Sequence, residues 1–149
     1  MAFSFALHRL PCIAALALAA AQPSAHGQQT WFTLVGNPVA AETDTIELDP
    51  VTVTVDGPIR LMAIRVNRSA ERVSRDGVRF RSFSGLVQFD CSTRMARFVQ
   101  SSFFALPLWQ GPSVELRYGP DQVRPMAFRG FEPNPSERVI RAACRSYAE

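Results

Sequence analysis

"VRFRSFSGLVQFDCSTRMARFVQSSFF", residues 78–104, is written as two strands joined by a short polar turn. Strand side chains alternate between faces, so Phe83, Val87, Phe89 and Cys91 fall together on one side. Phe80 is out of phase with them, which predicts a bulge or bend between Ser82 and Gly85. Ser92-Thr93-Arg94 supplies the turn, and "MARFVQSSFFA" runs back antiparallel. Two consecutive strands of this length call for a sheet, and the segments on either side extend it.

Upstream, "RLMAIRVN" (60–67) carries Met62, Ile64 and Val66 as one apolar stripe. The polar "SAERVSRDG" (69–77) then reads as a loop, with Asp76-Gly77 as its hairpin turn. Shorter strands are predicted in "TWFTLVGN" (30–37), "DTIELDP" (44–50) and "VTVTV" (51–55), separated by Gly, Asn and Pro breaks. Downstream, "SVELRYG" (113–119) adds one more strand, and a Pro-rich connection runs to Pro135. The chain then changes period. Asn134 stands as N-cap, Pro135 at the first helical position and Glu137 three residues on, the pattern of a capping box. Val139, Ile140, Ala143, Cys144 and Tyr147 share the apolar face of that helix, with Arg138, Arg141 and Arg145 opposite. One helix laid on an antiparallel meander is an α+β two-layer domain.

The N-terminal segment has a different character. "MAFSFALHRL" is weakly basic, and "PCIAALALAAA" is apolar but shorter than the ~20 residues that span a bilayer. Small residues follow, which is the pattern of a secretory signal peptide over residues 1–27, cleaved after Gly27 or alternatively after Ala21. Cys12 precedes the apolar run and leaves with the leader. Residues 28–149 are then one domain, expected in the periplasm or outside the cell. Two cysteines remain, Cys91 and Cys144. In an oxidising compartment an even count reads as a disulfide. A reactive thiol at Cys144 is the competing reading, but no His or Lys stands nearby to lower its pKa.

Composition removes much chemistry. The two histidines, His8 and His26, both precede Gln28, and all 16 basic residues are arginine. Residues 28–149 therefore have no Ser-His-Asp or Cys-His machinery, no Schiff-base or P-loop lysine, and none of the common zinc sets. No cofactor or metal site is expected, no catalytic residue is assigned, and the near-balanced charge is not that of a nucleic-acid binder. Charge is nonetheless uneven. Glu42, Asp44, Glu47, Asp49 and Asp56 form an acidic stretch. It is followed by Arg60, Arg65, Arg68, Arg72, Arg75, Arg79 and Arg81. These neighbouring strands can neutralise one another across the sheet, or the arginines can be displayed to a protein or acidic glycan. Trp109, in "FFALPLWQGP" (103–112), is either core or an interface anchor; in the latter case a homodimer through a sheet edge becomes possible.

Several of these segments together resemble the surface-adhesin protein E family of exported bacterial proteins. Trp31 opens the similar region and "TIELDP" supplies a strand ending in Asp49-Pro50. "FRSFSGLVQFDCSTRMAR" supplies Arg81, Ser82, Asp90, Cys91, Arg94 and Arg97, and "PNPSERVIRAAC" the closing helix with Ser136 and Cys144. The similarity runs from about Trp31 to Arg145. It implies an antiparallel sheet with a disulfide-linked helix, and a binding role, since the founding adhesins attach to matrix proteins such as vitronectin and laminin. The sequence departs from the family in lacking a lipoprotein site in its leader and in having Phe128 where a tryptophan is expected. An exported, non-catalytic binding domain is the leading expectation; the alternative is a periplasmic accessory or structural protein of the cell envelope without a host ligand.

Overall fold

The long hairpin β4–β5 is the spine of the molecule. In the computed structural model, which describes residues 30–145, β4 spans Ile59–Val73 and β5 spans Arg79–Asp90. Around them lie β1 (Phe32–Val35), β2 (Thr45–Leu48), β3 (Thr54–Asp56), β6 (Met95–Phe104), β7 (Ser113–Arg117), β8 (Arg124–Pro125) and helix α1 (Ser136–Ala143). All pairings are antiparallel, in the order β1-β2-β4-β5-β6-β7, with β3 also on β4 and β8 also on β6. The α+β expectation holds.

Register follows from the apolar alternation. Met62 lies opposite Val87 and Ile64 opposite Gly85, while Ile46 lies opposite Val66 and Leu48 opposite Ile64. A one-residue slip would turn this whole set to the other face. These side chains are buried with Phe89, Met126, Phe128, Phe131, Val139 and Ala143, so the core sits between the sheet and the C-terminal segment. Cys91, at the end of β5, is bonded to Cys144, at the end of α1, with the two Cα atoms 5.4 Å apart.

The opposite face is covered by a loop rather than by a second layer. Residues 105–111 fold back over β4 and β5. Ser82 Oγ donates to Leu106 O (2.7 Å) and accepts from Trp109 N (2.9 Å). Asn67 Oδ1 accepts from Leu108 N (2.8 Å), and its Nδ2 donates to Ala41 O and Thr43 O. Leu108 and Trp109 take positive φ values of 55° and 59°, a conformation uncommon for residues other than glycine. The bonds to Asn67 and Ser82 hold them there.

Four local expectations are corrected. The polar segment 69–73 is strand, because β4 continues to Val73. The irregularity lies on β4 and not at Ser82–Gly85: Asn67 pairs with Ser82 and Arg72 with Phe80, so residues 68–71 of β4 oppose Arg81 alone. "VTVTV" contributes only Thr54–Asp56, because Asp49 accepts from Val51 N, Thr52 N and Thr52 Oγ1 and bends the chain. Helix α1 begins at Ser136, with Pro135 in the cap position. Asn134 precedes the cap, and its Oδ1 accepts from Ser136 N (3.0 Å) and Oγ (2.7 Å) in place of the expected capping box. Tyr147 and the expected signal peptide, residues 1–27, lie outside the described residues.

Candidate functional site

The extra residues in β4 have a local consequence. A bulge increases twist and re-aims the side chains it contains, and here it swings Arg68 off the strand pairing toward the segment before α1. Arg68 Cζ lies 4.2 Å from the centre of the Phe131 ring. One of its Nη atoms is 3.3 Å from both Asp44 Oδ2 and Gly130 O. The Arg68 side chain is 4% exposed, and its buried Nε has no hydrogen-bond partner among the described residues. Burial, and then the nearby Arg72, pull its pKa below the ordinary arginine value, against the pull of Asp44.

Arg68 forms part of the wall of a cavity of about 450 Å³, within the size range of small-ligand sites. Much of its lining is aromatic. Phe80, Phe83, Phe98 and Phe103 form a continuous cluster with ring centres 5.1–5.7 Å apart. Phe128, Phe131 and Tyr118 add to the lining, with Arg68 over the Phe131 ring and Arg124 over the Tyr118 ring. The lining is also cationic: Arg72, Arg75, Arg124 and Arg129 line the cavity together with Arg68, against Asp76 as the sole acid among the described residues.

Asp76 is already engaged. Both Nε (3.2 Å) and Nη2 (2.5 Å) of Arg124 donate to its Oδ1, and the Tyr118 hydroxyl donates to Oδ2 (3.1 Å). These contacts strap the β4–β5 turn onto the strand β8 region. The Arg124 bonds, foremost, hold the Asp76 carboxyl below its ordinary pKa, and burial pushes the Tyr118 hydroxyl up. A carboxyl with a lowered folded-state pKa contributes stability above its unfolded value and loses it as the pH falls below that value. The Asp76→Asn variant is therefore expected to melt at lower temperature than wild type near neutral pH. The two melting curves should converge in acid well below the ordinary carboxyl value of 3.8. An unchanged gap between them at low pH would show that charge at Asp76 does not hold the strap.

The arginines singled out in the sequence separate into groups. Arg68, Arg72 and Arg75 meet at the cavity. Arg65 lies on the opposite face, paired with Glu47 at 2.7 Å and stacked between Trp31 (4.3 Å) and Trp109 (4.0 Å). Arg81 reaches Glu42 at 3.4 Å. Arg79 is exposed and pairs with Glu71 at 2.8 Å. Arg60 is buried near the far end of the sheet, bonded to Gly57 O and Ile59 O. Pairs from Glu42, Asp44 and Glu47 to Arg81, Arg68 and Arg65 show that part of the charge contrast is neutralisation between neighbouring segments. Trp109 is half-buried, its indole N–H donating to Phe83 O at 3.2 Å.

Arg124 and Arg129 were missed by the sequence reading. They stand in the Pro-rich connection, where no period reveals a shared face. Among the described residues, no cluster of three or more His, Cys, Asp or Glu could hold a metal ion, and no helix is long and apolar enough to cross a membrane.

A family model described as surface-adhesin protein E matches residues 31–145. The chain belongs to the surface-adhesin protein E family. The match begins at Trp31, which stacks on Arg65, and ends one residue after Cys144 of the disulfide. It thus includes both faces of the sheet, the cavity and the helix of this adhesin-like protein. Comparison with curated proteins gives no match.

Proposed function

We propose that this surface-adhesin protein E family member is an exported, non-catalytic binding domain. It attaches to an acidic partner, a host matrix protein or an acidic glycan, through the arginine-rich end of its sheet. The observation that carries this reading is the gathering of Arg68, Arg72, Arg75, Arg124 and Arg129 around one opening whose sole acid, Asp76, is consumed by Arg124. Arg72, Arg75 and Arg129 are exposed and carry this charge to the surface. Arginine suits this role because its planar fork meets carboxylate or sulfate with two parallel hydrogen bonds. The family resemblance points the same way.

Exposed charges act through water and are screened by salt. Capture of the protein on immobilised heparin, a sulfated glycan probe, is expected to be saturable and to weaken steeply as salt rises. The Arg75→Glu/Arg129→Glu double variant, both residues being exposed, should bind about tenfold more weakly, since charge reversal replaces two attractions by two repulsions. Capture that is indifferent to salt, or equal in the variant, would remove the arginine surface from the binding role. Failure of heparin and of purified matrix proteins alike would favour the envelope-accessory alternative.

A further inference from the structure

We propose that the cavity holds the apolar chain of a single-chain amphiphile whose anionic head, a carboxylate or a phosphate, is taken by Arg68, Arg72 and Arg129 at its edge. Two chemistries meet there within the reach of one small molecule. Phe80, Phe83, Phe98 and Phe103 offer a hydrocarbon-like interior, while the guanidinium groups offer donors at the margin. Neither half alone selects this ligand. A polyanion has nothing to place among the phenylalanines, and a neutral hydrocarbon offers Arg72 and Arg129 no acid to pair with.

The margin is built to receive a negative charge. Arg68 is 3% exposed, yet its Nε lacks a partner among the described residues. A buried donor left unmade is costly, and a small turn of the guanidinium toward the cavity would let an incoming acid oxygen complete it. Gly130 reinforces the point. Its φ is +75°, and a Cβ placed there would come within 3.2 Å of one Nη of Arg68 and 3.9 Å of one Nη of Arg72. Two like-charged groups thus approach the same bare stretch of backbone. An anion between them would relieve their repulsion.

Ring geometry decides what kind of apolar group fits. The phenylalanine pairs meet at interplanar angles of 84°, 56°, 73° and 41°. The interior therefore presents a mixture of edges and faces, not two parallel faces between which a flat aromatic ligand would stack. A flexible alkyl chain can follow such a surface.

The test is isothermal titration of the leader-free protein with butanoate, octanoate and dodecanoate below their aggregation concentrations. Dodecanol and dodecyl phosphate serve as head-group controls. Dodecanoate is expected to bind saturably at one site, with affinity rising by up to about fourfold per methylene along the series. Dodecanol should bind about tenfold more weakly than dodecanoate, because it cannot form a charge-assisted bond. Arg72 is exposed, so Arg72→Gln should fold. It should weaken dodecanoate and leave dodecanol unchanged. Tighter binding of dodecyl phosphate than of dodecanoate assigns the head to a phosphate, and the reverse order to a carboxylate. Absence of saturation, no dependence on chain length, or equal binding of dodecanol and dodecanoate would each overturn the proposal. It does not rest on the glycan or matrix-protein reading: heparin capture and dodecanoate titration are separate measurements on the same protein, and either can fail alone.

Discussion

Replacing Cys91 and Cys144 together by alanine is expected to lower stability by about 4 kcal/mol in the chain-entropy account of a disulfide spanning this sequence separation. The bond joins residues 53 apart, so its loss frees a long stretch of the unfolded chain. That stretch contains β6 and β8, which contribute residues to the cavity wall, together with β7 and α1. Helix α1 has only eight residues, shorter than the roughly 12–15 at which isolated helices become even marginally stable. It persists because Val139 and Ala143 are buried against the sheet and because Cys144 is tethered. Urea denaturation of wild type and double variant, both in the absence of reductant, measures the difference. A melting temperature lower by on the order of 15 °C is the thermal counterpart. Amide exchange should also accelerate first in α1 and in residues 126–131. A variant as stable as wild type would show that burial alone holds the helix.

The sequence disclosed the core more readily than the site, for a physical reason. Core positions obey a period. Met62, Ile64 and Val66 on β4, and Val87 and Phe89 on β5, announce both the strand and its buried face through alternation. The disulfide was legible because two cysteines remain once Cys12 is assigned to an expected leader, and a pair in an oxidising compartment has a simple meaning. The cavity obeys no period. It arises where residues 68–71 of β4 face Arg81 alone, and an irregularity of that kind removes the very alternation by which a strand is recognised. The same irregularity made the end of β4 look like a loop. Arg124 and Arg129 come to the cavity from an irregular, proline-rich segment, so their proximity to Arg68 and Arg72 is a matter of tertiary folding. Trp109 was ambiguous for a related reason: its position depends on two residues of positive φ, pinned by Asn67 and Ser82 from strands far away in sequence.

Replacing Glu47 by alanine is expected to cost about 3 kcal/mol, the cost of breaking a buried ion pair from one side. Glu47 is 2% exposed at its side chain and Arg65 24% exposed. They stand directly opposite one another on β2 and β4. Arg65 lies between the rings of Trp31 and Trp109, so the two indoles take the place of water on either side of the guanidinium. Without Glu47 the arginine keeps its stacking but has lost its carboxylate, and its charge is only partly hydrated. The Arg65→Ala variant should be destabilised as well, through the stranded carboxylate and the loss of both stacked rings. The Glu47→Ala/Arg65→Ala double variant should then be destabilised by less than the sum of the singles, with a coupling on the order of 1–2 kcal/mol. Fluorescence offers a direct readout, because the sequence has two tryptophans and both flank Arg65. Glu47→Ala should shift the emission of the native state as Arg65 relaxes. It should leave dodecanoate titration at the cavity intact, because the pair lies on the opposite face of the sheet. Additive single effects would mean that Glu47 and Arg65 are each solvated on their own and that the tryptophans do not close this face against water.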